Sequence, residues 1–261
     1  MRPATEGMGS HDGLTQADMV HRLPKARVVD RGGYLADAVA GRRAIHVGFV
    51  DSGCTEHRAR TGTWLHGRLH QRAASLVGLD IDAQGVEAAR AEGFECHAVD
   101  CADPEAVAAL GLERAEVVVA GEIIEHIDRG GDFLDALHHL VEPGGRLVLT
   151  TPNASGLLNA SAATLAGLEV NHPDHVVLYS CRTLVNLLQR HGWIVDEVAT
   201  YLPEVHSTRG MARRTRLLGT AARVLLMVER VLGRLGRPFA ADGLIVTARR
   251  GDEGPAVRAP G

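Results

Sequence analysis

Glu122, Glu125 and His126 stand at positions i, i+3 and i+4. If a helical turn begins at Glu122, that spacing turns all three side chains toward one side. Two carboxylates and an imidazole then suit magnesium, manganese or zinc, according to what completes the shell. The same residues admit two other readings. Acids favour a helix N-terminus by their charge, with His126 merely packing. Alternatively His126, or His175 in the run Asn171-His172-Pro173-Asp174-His175, is a general base, because imidazole takes a proton readily near neutral pH. All three readings put the chemistry on one face, and spacing alone does not choose among them.

The surrounding pattern says what must hold that face. Glu116 to Ala120 reads as a buried strand ending in the acidic turn Gly121-Glu122. A helix is expected from Asp132, as its cap, to Val141, then a Pro-Gly-Gly turn, a strand from Arg146 to Thr150, and Thr151-Pro152-Asn153. Asn153 either orients a ligand or belongs to an ordinary Pro-Asn turn. Upstream, apolar runs alternate with helical patterns: strands at Ala44 to Gly48, Leu76 to Leu79 and Glu95 to Val99, helices at Trp64 to Ala74, Ala83 to Glu92 and Pro104 to Leu110. Downstream, Ser180 caps a helix striped by Leu184, Leu187 and Leu188, which ends at His191-Gly192 before strands Trp193 to Thr200 and Gly243 to Ala248. Such alternation implies βαβ crossovers and a parallel sheet, whose strand ends form the crevice for small ligands. His138 and His139 fall on the solvent side of their helix pattern, and His66 and His70 read as structural.

Bulk properties narrow the classes. With 261 residues, 45% of them hydrophobic, the chain can bury one sizeable α/β core, expected over residues 26–250 with ends 1–25 and 251–261 unstructured. A formal charge of -4 gives no global field for nucleic acid, so that partner is not expected. Four cysteines without a CxxC pair fit a reducing cytoplasm, and no stretch is apolar enough to span a bilayer. The segment Leu202 to Pro238 stands apart: eight arginines edge an apolar helical pattern there. It is expected to be an insertion helix packed over the sheet or, less readily, a peripheral contact with membrane or an anionic substrate.

Six motifs, in order over residues 45 to 200, resemble the class I S-adenosylmethionine-dependent methyltransferases, and within them the ubiquinone-type O-methyltransferases. They are AIHVGF (44–49), LVGLDID (76–82), HAVDCAD (97–103), EVVVAGEIIEHI (116–127), LVEPGGRLVLTTPN (140–153) and DHVVLYSCRTL (174–184). The resemblance implies a Rossmann-like, seven-stranded, mostly parallel sheet with helices on both faces and an antiparallel last strand. It implies S-adenosyl-L-methionine as cofactor, held by Gly48, Phe49, Asp51, Asp80, Ile81, Asp100, Cys101 and Gly121. In that scheme Asp80 takes the ribose hydroxyls, Ile81 lies against adenine and Asp100 sits near the adenine amino group. Asp80 also has a plainer reading as a helix cap, and Asp100 as a turn residue before Pro104. The likeness extends the metal reading to Glu122, Glu125, His126 and His175, binding magnesium, manganese or zinc, with His175 or His126 as the catalytic base.

One motif departs from the family pattern. The usual Asp-x-Gly-x-Gly-x-Gly loop reads His46-Val47-Gly48-Phe49-Val50-Asp51-Ser52-Gly53, with a single glycine in register. Gly48 and Asp80 lie 32 positions apart (80 minus 48), against about 20 for ordinary nucleotide folds, so a long loop is expected near Asp51 to Gly62. The expected activity is methyl transfer to a hydroxyl, less readily an amine, of a small-molecule or lipid-linked acceptor. The alternatives are a noncatalytic protein of the same fold that has lost its cofactor and, motivated by the Glu-x-x-Glu-His likeness, an RNA 2′-O-methyltransferase. The absence of GxGxxG disfavours a nicotinamide-dependent oxidoreductase.

Overall fold

The computed structural model describes residues 20–51, 63–203 and 213–251. Eight strands form one sheet: β1 (Val28–Val29), β2 (Arg43–Val47), β3 (Ser75–Asp80), β4 (Glu95–Ala98), β5 (Ala115–Gly121), β6 (Val141–Pro152), β7 (Trp193–Tyr201) and β8 (Gly243–Arg250). Their order is β1-β7-β8-β6-β5-β2-β3-β4, and β8 runs antiparallel to both β6 and β7 while every other pairing is parallel. After β1 at one edge the chain enters mid-sheet at β2, winds outward to β4, returns to β5 and winds the other way. That reversal between β2 and β5 is the topological switch point at which open α/β sheets bind ligands.

Seven strands were expected and eight are present among the described residues. The extra one is β1, two residues that pair Val28 with Thr200 and Val29 with Tyr201, too short to leave a period in the sequence. It leads into α1 (Arg31–Val39), also unforeseen, whose start is fixed by Asp30 accepting from the Gly33 amide at 2.6 Å.

The remaining helices are α2 (Leu65–His70), α3 (Ala83–Ala91), α4 (Pro104–Ala109), α5 (Gly130–Leu137), α6 (Leu157–Ser161), α7 (Cys181–Arg190) and α8 (Arg213–Arg234). Ser180 caps α7 through a reciprocal box with Thr183, as its position before the leucine stripe suggests. α5 begins two residues before Asp132, with Arg129 at its cap position and Asp132 inside the first turn. The cause is steric. Gly130 and Gly131 lie so close to the Tyr179 hydroxyl and the His191 ring that a Cβ would come within 2.8 and 2.7 Å of them, so helix can start there only without side chains. The same helix ends at Leu137, and Val141 opens β6 instead of closing α5. His138 is buried, stacked on Trp193 with centroids 4.3 Å apart and its Nε2 2.7 Å from the His191 carbonyl, which corrects its assignment to solvent.

Alternate residues of the central strands feed two cores. Ile45, Val47, Val118, Ala120 and Leu147 face Phe133, Leu134 and Leu137 of α5, whereas Ala44, Val117, Val119 and Val148 face Leu35 and Val39 of α1 and Leu69 of α2. Burial of each such Leu, Val or Phe contributes about 1.5–3 kcal/mol. The unstructured ends expected at 1–25 and 251–261, the long loop at 51–62 and the start of the arginine-rich segment fall largely or wholly outside the described residues.

Candidate functional site at the strand ends

The carboxyl ends of β2, β3 and β4 form one half of the crevice. Gly48, directly after β2, has φ +70° and donates its amide to the Leu79 carbonyl at 2.8 Å; a Cβ there would meet Ile123 at 3.0 Å. Only glycine takes that backbone without strain, so the chain can turn sharply off the strand and leave its peptide bare. Phe49 turns inward, packs with Trp64 and His66, and offers its carbonyl to the Trp64 indole N–H at 3.1 Å. Asp51 ends the described part of this loop.

Asp80 is nearly buried and does not cap a helix. Asp82 performs that task for α3, accepting from the Gln84 and Gly85 amides at 3.0 and 3.1 Å. The Asp80 carboxylate instead accepts from the Val50 amide at 2.8 Å and the Asp82 amide at 3.0 Å, which ties the loop after β2 to the end of β3. Each oxygen keeps a lone pair for a further donor. Burial raises its pKa, opposed by these amides. Its neighbour Ile81 is 70% exposed, an apolar side chain held out at the mouth of the crevice. Asp100 accepts from the Ala102 amide at 2.8 Å in a turn and lies 3.8 Å from Arg129, while Asp103 caps α4. Cys101 is buried and its thiol is pushed up to about 12, so it is not a nucleophile at neutral pH.

The ends of β5, β6 and β7 form the other half. Gly121 closes β5, with the Arg31 guanidinium 3.0 Å from where a Cβ would sit. Glu122 follows with φ +57°, a left-handed backbone rare for a residue with a side chain. Three hydrogen bonds offset the strain: its amide donates to the Thr150 carbonyl at 3.0 Å, and its carboxylate accepts from the Thr150 hydroxyl at 3.0 Å and the Tyr201 hydroxyl at 2.5 Å. Arg31 completes this network, donating to the Thr150 hydroxyl at 3.1 Å beside the Tyr201 ring.

That backbone turn overrides the helical face expected from the i, i+3, i+4 spacing. Helical geometry begins only at Ile124 and is one 3₁₀ turn, Ile124–His126, so Glu122 points at Thr150 and Tyr201 while Glu125 and His126 start a separate group. Glu125 is fully buried. One oxygen accepts from the Thr151 hydroxyl at 3.0 Å; the other has no hydrogen-bond partner and lies 4.0 Å from His175 Nε2. Burial, then the charge of Glu122, lifts Glu125 to about 8. Its backbone carbonyl accepts from the Val176 and Val177 amides, which folds the Asn171 to Val177 loop over the turn. His126, His172 and His175 thereby meet, with one ligand atom from each within 4.8 Å of the others. Burial lowers the pKa of His126 and His175, so both favour the neutral, proton-accepting form.

The Methyltransferase domain model matches residues 50–198, more than half of the chain. The chain belongs to this methyltransferase family. Its sheet is that of the class I S-adenosylmethionine-dependent members, with β1 added at one edge. Among similar proteins is the mitochondrial ubiquinone biosynthesis O-methyltransferase of Schizosaccharomyces pombe, 32% identical over 92 residues, covering 32% of each chain. Its counterpart from Klebsiella pneumoniae is 28% identical over 143 residues, covering 52% of this chain and 53% of that one. The aligned part thus spans a third to a half of the length of these curated relatives. A SAM dependent methyltransferase from Archaeoglobus fulgidus superposes with a TM-score of 0.51 at 15% identity, covering 84% of this chain and 90% of that one. A putative methyltransferase from Bacillus halodurans does so with a TM-score of 0.52 at 13% identity, covering 85% and 99%.

Sequence reasoning assigns no role to four residues of this crevice: Arg31, Thr150, Tyr201 and His172. The pair of histidines three apart in His172-Pro173-Asp174-His175 was a usable signal. Arg31 had none, because it reaches Thr150 across 119 positions. Asn153 is buried, with its amide donating to the Phe239 and Ala241 carbonyls at 3.1 and 2.8 Å, so it ties β6 to the segment before β8 and does not face a ligand.

Proposed function

We propose that the chain transfers the sulfonium methyl group of S-adenosylmethionine to a hydroxyl of a small-molecule or lipid-linked acceptor. The observation that carries this reading is the junction of two unlike half-sites at the switch point: a backbone-lined turn with an acid and an exposed isoleucine, beside a group of proton-accepting imidazoles over a buried glutamate. The likeness to ubiquinone biosynthesis O-methyltransferases supports a hydroxyl acceptor.

In this reading the bare peptides at Gly48, Phe49 and Gly121 line the methionine part of the cofactor, with Asp51 at the loop. Asp80 uses its remaining lone pairs for the ribose hydroxyls, Ile81 covers the adenine, and Asp100 and Cys101 bound its far edge. Arg31, next to Gly121, supplies a cation for the cofactor's carboxylate. The acceptor oxygen attacks the methyl carbon in line. The carbon–sulfur bond breaks as the carbon–oxygen bond forms, and the hydroxyl proton passes to His175 or His126. S-adenosylhomocysteine and the methyl ether leave.

The family likeness also implies a divalent cation, and the donor set fits one. The three imidazoles of His126, His172 and His175 would hold it, with the unpartnered oxygen of Glu125 4.0 Å from His175 Nε2, whereas Glu122 is engaged with Thr150 and Tyr201. When bound it would lower the pKa of an acceptor hydroxyl. Transfer of labelled methyl from S-adenosylmethionine to paired acceptors, alike except for hydroxyl or amine, tests the proposal. Transfer to the hydroxyl member that His175→Ala slows by about 10²–10⁴-fold is expected; transfer to the amine alone would overturn it.

A further inference from the structure

α8 carries an apolar face that nothing among the described residues covers. Val224, Met227, Val228 and Val231 along the helix, and Leu235 directly after it, are 40 to 72% exposed. At about 100° per residue they fall within one stripe roughly 100° wide. Arg223, Arg230 and Arg234 are exposed and lie together along one border of that stripe, and among the described residues no carboxylate pairs with them. The helix's one acid, Glu229, is on the far side and fully buried; there it accepts from the Leu158 amide at 3.0 Å and fastens α8 onto α6. Gly233 meets Val28 of β1 on the same inner side. One face is thus spent holding α8 to the domain, and the opposite face shows aliphatic side chains beside guanidiniums.

We infer that this face of α8 docks the protein on an anionic lipid surface, lying in the interface plane. The charge arrangement selects that occupant. The chain as a whole is formally -4, so it would be repelled by an acidic membrane unless a local cationic edge meets the headgroups, and α8 provides one with its only carboxylate turned away. Aliphatic side chains flanked by arginine suit the boundary between headgroups and acyl chains, with the guanidiniums reaching phosphates. No helix of the described residues is long and apolar enough to cross a membrane, so the contact is peripheral. α6, on which α8 rests, follows the Asn153 end of β6, and Leu165 in the turn that continues α6 is 86% exposed. This contact stands independently of the methyl-transfer reading, since neither cofactor nor acceptor enters it.

Flotation of the full chain with vesicles tests it, using equal parts phosphatidylcholine and phosphatidylglycerol against phosphatidylcholine alone at about 150 mM salt. The protein is expected to float with the acidic vesicles only. Met227→Glu with Val231→Glu, both at exposed positions that leave the inner face intact, should lower the bound fraction by about tenfold or more. Arg223→Gln, Arg230→Gln and Arg234→Gln together should weaken binding by about a hundredfold, at about fivefold each. A wild-type protein that stays at the bottom of the gradient would overturn the inference, as would a glutamate variant that floats equally well. So would a wild-type dimer, seen by light scattering, that the glutamate variant converts to monomer without any flotation; in that case a second copy covers the stripe.

Discussion

The two halves of the crevice are built on different physical terms. At the ends of β2 to β4 the acids are satisfied locally, although the buried Nε2 atoms of His46, His66 and His97 have no partner there: Asp80 holds two backbone amides within the loop and strand end it belongs to, and Asp100 holds the amide two residues on. At the ends of β5 to β7 the groups are crowded and incompletely satisfied. A glutamate takes a left-handed backbone, a second glutamate keeps a buried oxygen without a partner, and three imidazoles gather over it. Rigid, self-contained backbone suits a cofactor that is the same in every turnover. A buried glutamate with unmet demand beside three imidazoles suits the side where a proton must move, since an unpaired buried polar atom is costly and perturbed titratable groups cluster at functional sites.

The sharpest way to break the comparison is to remove the proposed base. His175→Ala should cut methyl transfer by about 10²–10⁴-fold while leaving S-adenosylhomocysteine affinity unchanged, measured by turnover beside calorimetry. Loss of both together would mean the halves are one unit. Tyr201→Phe removes a short hydrogen bond to the Glu122 carboxylate and should cost about 1.5–3 kcal/mol of stability by denaturant unfolding; a change below 0.5 kcal/mol, roughly the scatter of surface substitutions, would show that Glu122 is not held by it. On the cofactor side, Gly48→Ala forces a Cβ onto Ile123 in a left-handed backbone, at a cost of about 1–2 kcal/mol, and roughly tenfold weaker cofactor binding should accompany the loss. Unaltered affinity would place the cofactor elsewhere.

A gentler test lies outside both halves, where Glu229 and Asp242 are buried against each other beneath α8. Burial, then mutual repulsion, raises Glu229 from its ordinary 4.5 to about 8, and burial raises Asp242 from 3.8 to about 6. Both folded values exceed the unfolded ones, so the folded protein binds more protons and the pair's contribution falls as pH rises from about 4 to about 8. Glu229→Gln should flatten the pH dependence of the melting temperature over that window. An unchanged slope would mean that the pair does not hold a proton there.

The difference between the halves also explains what could be read in the sequence. The order of elements was legible because each central strand and its helix carries its own period, and Ser180 and the acids before α3 and α4 mark helix starts within a few residues. Gly48, Asp80 and Asp100 lie at or just after strand ends as expected, because strand ends are local features of the sequence. The half at the ends of β5 to β7 was only partly legible. The i, i+3, i+4 spacing of Glu122, Glu125 and His126 presumes a helix, and the hydrogen bonds from Thr150 and Tyr201 impose another backbone. Arg31 and Tyr201 arrive from 91 and 79 positions away from Glu122 (122 minus 31; 201 minus 122), and β1 is two residues long, so none of them leaves a periodic trace. His138 shows the same limit, since the pairing that buries it against Trp193 spans 55 positions (193 minus 138).

The ends of β2 to β4 are proposed to hold S-adenosylmethionine through Asp80. Calorimetric titration of the full chain with S-adenosylhomocysteine, beside Asp80→Ala, tests it most directly. Saturable binding near one equivalent, lost or weakened at least a hundredfold in the variant, is the predicted result. No heat of binding in the wild-type chain, with or without magnesium, manganese or zinc, would contradict the account and leave a methyltransferase fold that no longer takes its cofactor; undiminished binding in the variant would remove Asp80 from the site.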